Sequence, residues 1–233
     1  MNYDSKMLIA LGVSSLIATA ATADITGFVY QDVKQVSAAD FAGQPDFDGT
    51  VIDLWMEFDD SADILLNTFN FNDVNLGMTY WQSYPGAGWT PNNLGIPFET
   101  DALKFADSYV SIGDDNGGVQ VASNGTGLDP NFGGNTAAGP GANAGWYNSD
   151  PGNPIGAVVA TSHTETGLGV FIGRFSMNGG SFDMAGGTGD ATWNQGLGTD
   201  GAQGSFEIVP VPAPGALALI GMAGLAGRRR RRN

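Results

Sequence analysis

Residues 51–58 alternate strictly. Ile52, Leu54, Met56 and Phe58 are apolar, and Val51, Asp53, Trp55 and Glu57 fall between them. A period of two is the signature of a β-strand, whose successive side chains point to opposite faces. The first set is expected in a core and the second against water or a neighbouring strand. On that reading Leu54→Ala costs about 2–5 kcal/mol and Asp53→Ala far less. Strand patterns recur at residues 25–36, 63–71, 75–81, 107–113, 155–161, 167–177 and 204–209, with shorter ones at 119–122 and 191–195. With 36 Gly and 11 Pro, the chain is broken too often for a capped helix of any length. Residues 102–106 suit a single helical turn. Many short strands between turn signals predict an all-β domain of sandwich or jelly-roll type over residues 24–208. Residues 84–100 and 113–154 read as long polar loops, of the kind that carry function or lack order.

Both ends of the chain differ from this middle. Lys6, the apolar stretch 7–18 and Ala21-Thr22-Ala23 follow the order of a secretory signal peptide, with cleavage between Ala23 and Asp24. An uncleaved anchor is the alternative. At the other end stand Pro210, Pro212 and Pro214, the uncharged run 215–227, and Arg228 to Arg232. As a helix the run rises about 20 Å, short of the roughly 30 Å hydrocarbon core. Snorkelling arginines lengthen its span, and basic clusters stay on the cytoplasmic side. Residues 215–232 are therefore expected to anchor the chain in a membrane transiently, with the preceding domain outside.

The tail resembles the PEP-CTERM sorting signal of exopolysaccharide-associated proteins: a proline motif, a short apolar helix and a terminal arginine cluster. Here the motif reads Pro212, Ala213, Pro214 and Gly215, with alanine in place of the acidic residue. The resemblance covers residues 209–233. It implies handling by an exosortase, a membrane transpeptidase-like protease, with removal of the tail; exopolysaccharide is a candidate partner. A plain C-terminal anchor is the simpler alternative. Residues 107–113, 145–150, 172–175 and 192–198 are more loosely similar to secreted proteins carrying the same tail, which implies a β-rich architecture and no activity.

Loss of both ends would leave Lys34, Lys104 and Arg174 against the 24 acids less Asp4, a net charge of about −20. Such a surface repels nucleic acid and anionic lipid. It suits a salty medium or cation binding. Cysteine is absent, so stability rests on burial, hydrogen bonds or bound ions.

Candidate chemistry is sparse. The single histidine, His163, has Ser162 and Thr164 beside it, but chain neighbours in a strand point apart, so no Ser-His-Asp set is expected. Asp53 and Glu57 lie about 13 Å apart on one strand, too far for a retaining glycosidase pair. No catalytic residue is assigned and no cofactor is required. Asp114, Asp115 and Asn116 are the leading candidate Ca²⁺ group, with Asp59, Asp60 and Asp63 next. Trp81, Tyr84, Trp89 and Trp146 are candidate glycan contacts, because exposed rings stack on sugars. The expectation is an exported, non-enzymatic protein of the cell surface or extracellular matrix, structural, adhesive or glycan-contacting. The alternative is a secreted carbohydrate-active hydrolase using acids among Asp53, Glu57, Asp59 and Asp60.

Overall fold

The computed structural model describes residues 25–41, 43, 47–82, 88–90, 101–113, 125–150, 152 and 154–211. The described chain is all-β. Its strands are β1 (Ile25–Val36), β2 (Gly49–Phe58), β3 (Ile64–Asn72), β4 (Tyr109–Val110), β5 (Thr126–Leu128), β6 (Ala144–Asn148), β7 (Val159–Ala160), β8 (Leu168–Asn178), β9 (Thr188–Asn194) and β10 (Ala202–Pro210). One short helix, α1 (Asp101–Ala106), falls where a single turn is expected.

The expected sandwich of two sheets gives way to one continuous sheet, in the order β4-β8-β2-β1-β10-β9-β3-β6-β5, with β7 paired to β8. β1 and β10 run parallel. The sheet curls until its free edges nearly meet, and the segment around β7 bridges them. Ala157 bridges Ile64 of β3, the Leu65 N–H donates to the Gly156 carbonyl at 2.8 Å, and Val159 pairs with Gly169 of β8. Further along the seam the Trp146 indole N–H donates to the Ser111 carbonyl at 3.0 Å. The Ile112 N–H donates to Thr126 Oγ1 at 3.2 Å. The seam needs glycine. A Cβ on Gly156 would sit 2.0 Å from the Leu65 carbonyl oxygen, and one on Gly113 1.8 Å from that of Ile155.

The interior is filled by side chains. Ile52, Leu54, Met56 and Phe58 of β2 enter it as the alternation predicts, joined by Phe71, Trp89, Phe132, Trp146, Phe175 and Trp193. Phe175 is a hub, with Tyr80, Trp89 and Phe71 rings 5.1, 5.7 and 6.0 Å away. Both faces of β2 are buried, so the second face meets packed side chains rather than water. Val51 packs with Val36, Phe47 and Ala106 beneath Phe41, Trp81 and Phe105. Trp55 packs with Tyr109 and Phe171.

Residues 75–81 are not a strand. A turn over residues 74–77 leads into an extended run whose Tyr80 and Trp81 N–H groups bond to Ala138 and Ser176. The strands expected at 107–113 and 155–161 shrink to β4 and β7. The one expected at 119–122 lies outside the described residues. Conversely, the stretch 113–154 is not all loop. It supplies β5, β6 and a 3-10 turn at Pro130–Phe132, and buries Phe132, Ala144 and Trp146. Its Gly and Asn content hid the short alternation at Ala144 and Trp146.

Candidate functional site

The outer surface of the curled sheet has a covered half and an open half. The covered half lies over β1, β2 and β8. Asp53 of β2 stands opposite Arg174 of β8 in register. The guanidinium grips the carboxylate twice, Nε to Oδ1 at 2.6 Å and Nη2 to Oδ2 at 2.7 Å. Nη1 donates to the Phe105 carbonyl at 2.8 Å, and the group lies 4.8 Å from the Phe105 ring centre. Lys34 of β1 adds a third contact to Asp53 at 2.7 Å and reaches Asp32 at 3.2 Å. Burial pushes the Asp53 carboxyl up, but Arg174 and Lys34 outweigh it and hold it below the ordinary carboxylate range. The chain of polar contacts ends on His163, whose Nδ1 is 3.3 Å from Asp32 and whose ring stacks 4.8 Å from Trp55. Glu57 is likewise engaged, accepting from the Thr26 hydroxyl and the Thr166 N–H at 2.6 Å each. Asp53 and Glu57 are thus buried, partnered groups that support the fold.

The open half is formed by β3, β9 and β10, with β6 beside them. Their outward residues are mostly polar and aligned across the strands, with the half-buried Phe69 opposite Asp190. Tyr147, Asn67, Thr192 and Gln203 form one row by register. The Thr192 hydroxyl donates to Asn67 Oδ1 at 2.8 Å. In the next row Asn70 and Ser205 both donate to Asp190, at 2.7 and 2.6 Å. Ser205 first, and Asn70 second, hold the Asp190 carboxyl below its usual range. Asn70 reaches this row because β3 bulges there and Asn70 adopts φ 49°, a left-handed conformation that asparagine tolerates. Tyr147 is 41% exposed. Its ring lies across Gly127 of β5, where a Cβ would meet it at 2.7 Å. A depression of about 620 Å³, lined by Thr90, Leu128, Asp129, Pro130 and Asn135 among others, opens on the far side of β5. The result is a surface of amides, hydroxyls and the carboxylates of Asp190 and Glu207, with the Tyr147 ring at one end.

The expected glycan contacts separate. Trp89 and Trp146 are fully buried in the core and offer no ring face to a ligand. Trp81 packs on Phe47, 5.1 Å away, and Tyr84 lies outside the described residues. So do the candidate Ca²⁺ group Asp114, Asp115 and Asn116, the cleavage residues Ala21, Ala23 and Asp24, and the motif Pro212 to Gly215. Among the described residues no three His, Cys, Asp or Glu side chains are grouped to hold a metal. Asp60 and Asp63 share the Gln195 amide, at 3.4 and 3.3 Å. The open face was missed because its residues come from separate strands. The alternation at Asp190, Thr192 and Asn194, and at Gln203, Ser205 and Glu207, was its sequence signal.

No family model, curated protein or solved structure matches the chain.

Proposed function

We propose that the chain is an exported, non-enzymatic protein of the cell surface or matrix that contacts neutral polysaccharide through the outer face of β3, β9 and β10. The single observation carrying this reading is the aligned platform of Tyr147, Asn67, Thr192, Asn70, Asp190 and Ser205. Amides, hydroxyls and a carboxylate hydrogen-bond sugar hydroxyls, and a flat phenol ring takes the apolar face of a pyranose. Strands repeat about every 4.8 Å, a spacing that lets successive rows meet successive parts of a chain of sugars. Lys34 and Arg174 lie on the covered face, so the platform favours neutral over anionic glycans. Export and anchoring through residues 215–232, with an exosortase as processing partner, rest on the signal-like and PEP-CTERM-like ends. The hydrolytic alternative draws on acids among Asp53, Glu57, Asp59 and Asp60, of which Asp53 and Glu57 are occupied in holding the sheet.

Affinity electrophoresis through gels containing neutral polysaccharides tests this reading. Retardation of the secreted protein, lost in Tyr147→Ala and in Asn67→Ala/Thr192→Ala, is the expected result. Equal mobility of all three proteins in every gel would overturn it. Shortening of the polysaccharide would move the assignment to the hydrolase.

A further inference from the structure

The barrel has unlike ends. At the end where β10 finishes, Asp73 turns inward and is buried. It accepts from the Tyr80 hydroxyl and, at 2.9 Å, from the Asn75 N–H. The Asn75 amide donates to the Asp183 carbonyl at 2.9 Å, and the loop behind it is tied to β10 by the Gly186 N–H on the Ile208 carbonyl, also 2.9 Å. This turn therefore directs its polar groups inward and its apolar ones outward. Val74, Leu76 and Met78 are 52%, 56% and 46% exposed. Val33 is exposed at the same end, on the part of β1 that runs past the Gln31–Pro210 pairing. A solvated turn is ordinarily built the other way round, and clustered exposed apolar groups mark an interaction surface.

The chain leaves the barrel beside this rim. Val211 follows directly on β10, and five peptide steps separate it from the apolar run beginning at Ala216. Those steps span at most about 18 Å. A membrane holding residues 216–227 would thus lie within a short reach of the rim.

We propose that this end of the barrel rests on the bilayer, with Val74, Leu76 and Met78 in the lipid interface. The inference depends on the membrane-anchored tail of the preceding section. The rim also carries Asp48 and Asp183, so the lipid it meets is zwitterionic rather than anionic. Apolar side chains carried on a turn lower into the headgroup boundary without spanning it. The seating orients the protein: the hairpin between β9 and β10, with Leu197 83% exposed, points away from the membrane.

The chain has no cysteine, so Leu76→Cys and Leu197→Cys each accept a single environment-sensitive fluorophore. The full chain is mixed with phosphatidylcholine vesicles and floated on a density gradient. The expected result is co-flotation, with the label at 76 blue-shifted and quenched by lipid-borne quenchers and the label at 197 unaffected. Co-flotation with both labels equally water-exposed would overturn the seating while sparing the anchor. Absence of co-flotation would overturn both. A label at 76 already shielded before vesicles are added would place protein on the rim and overturn the lipid assignment.

Discussion

Asp53 and Arg174 are 121 residues apart in the chain and share two hydrogen bonds, of 2.6 and 2.7 Å, across the β2–β8 ladder. Arg174 is wholly buried, and Lys34 closes the remaining side of the carboxylate. Removing the guanidinium leaves a buried charge with its main partner gone. Arg174→Met should cost about 3–5 kcal/mol, measured by urea unfolding. Asp53→Ala should cost as much as Leu54→Ala, removing the difference that alternation alone predicts. Asp53→Leu/Arg174→Met should recover most of the loss. If Asp53→Ala is near neutral, the pair is not holding the two strands.

The same pair sets an acid limit. The Asp53 carboxyl is depressed in the fold. Its contribution is therefore complete above the unfolded value of about 3.9 and is lost as pH falls through the lower folded value. Melting temperature should drop steeply below about pH 4. The drop should be shallower in Asp53→Leu/Arg174→Met, read by calorimetry from pH 7 downward. Parallel curves would exclude Asp53 as the source.

Tyr30 sets an alkaline limit. Burial first, then Glu57 and Glu165, push its phenol up to about 12. A raised value means the stabilisation is whole below the unfolded value of about 10 and is lost as pH rises through the folded one. Ultraviolet titration should show a late-ionising tyrosine near 12. Tyr30→Phe should remove that component.

Closure of the sheet tests at a single atom. Gly156→Ala places a methyl group 2.0 Å from the Leu65 carbonyl oxygen. Backbone must move, at a cost of about 1–3 kcal/mol or more. Gly180→Ala, where nothing lies within 4 Å, should stay within about 0.5 kcal/mol. Equal stabilities would mean that the bridge between β3 and the β7 segment is loose.

Calcium remains a proposal resting on Asp114, Asp115 and Asn116. Binding to the native state alone at a hundred times Kd adds about 2.7 kcal/mol, or roughly 5–10 °C of melting temperature for a chain this size. Melting in EDTA and in millimolar Ca²⁺ should be compared at matched ionic strength. An unchanged temperature returns these acids to the solvent. A rise that survives Asp114→Asn/Asp115→Asn moves the site elsewhere.

Local matters are legible in the residues alone: strand character, the span of β1, the inward set Ile52, Leu54, Met56 and Phe58, and the short turn of α1. These follow from side-chain period and from Gly and Pro, which act within a few residues. Contacts between distant segments set the rest. Period two says that a strand has two faces but not what covers each. Only the pairing of β2 with β8 shows that Asp53 meets Arg174 rather than water. Only the covering of β1, β2 and β8 leaves β3, β9 and β10 to form the open platform. Trp89 and Trp146 looked like loop aromatics because their neighbours are Gly, Pro and Asn. They are core residues because a curling sheet needs large side chains to fill its centre, and that demand is set by strands far away in sequence.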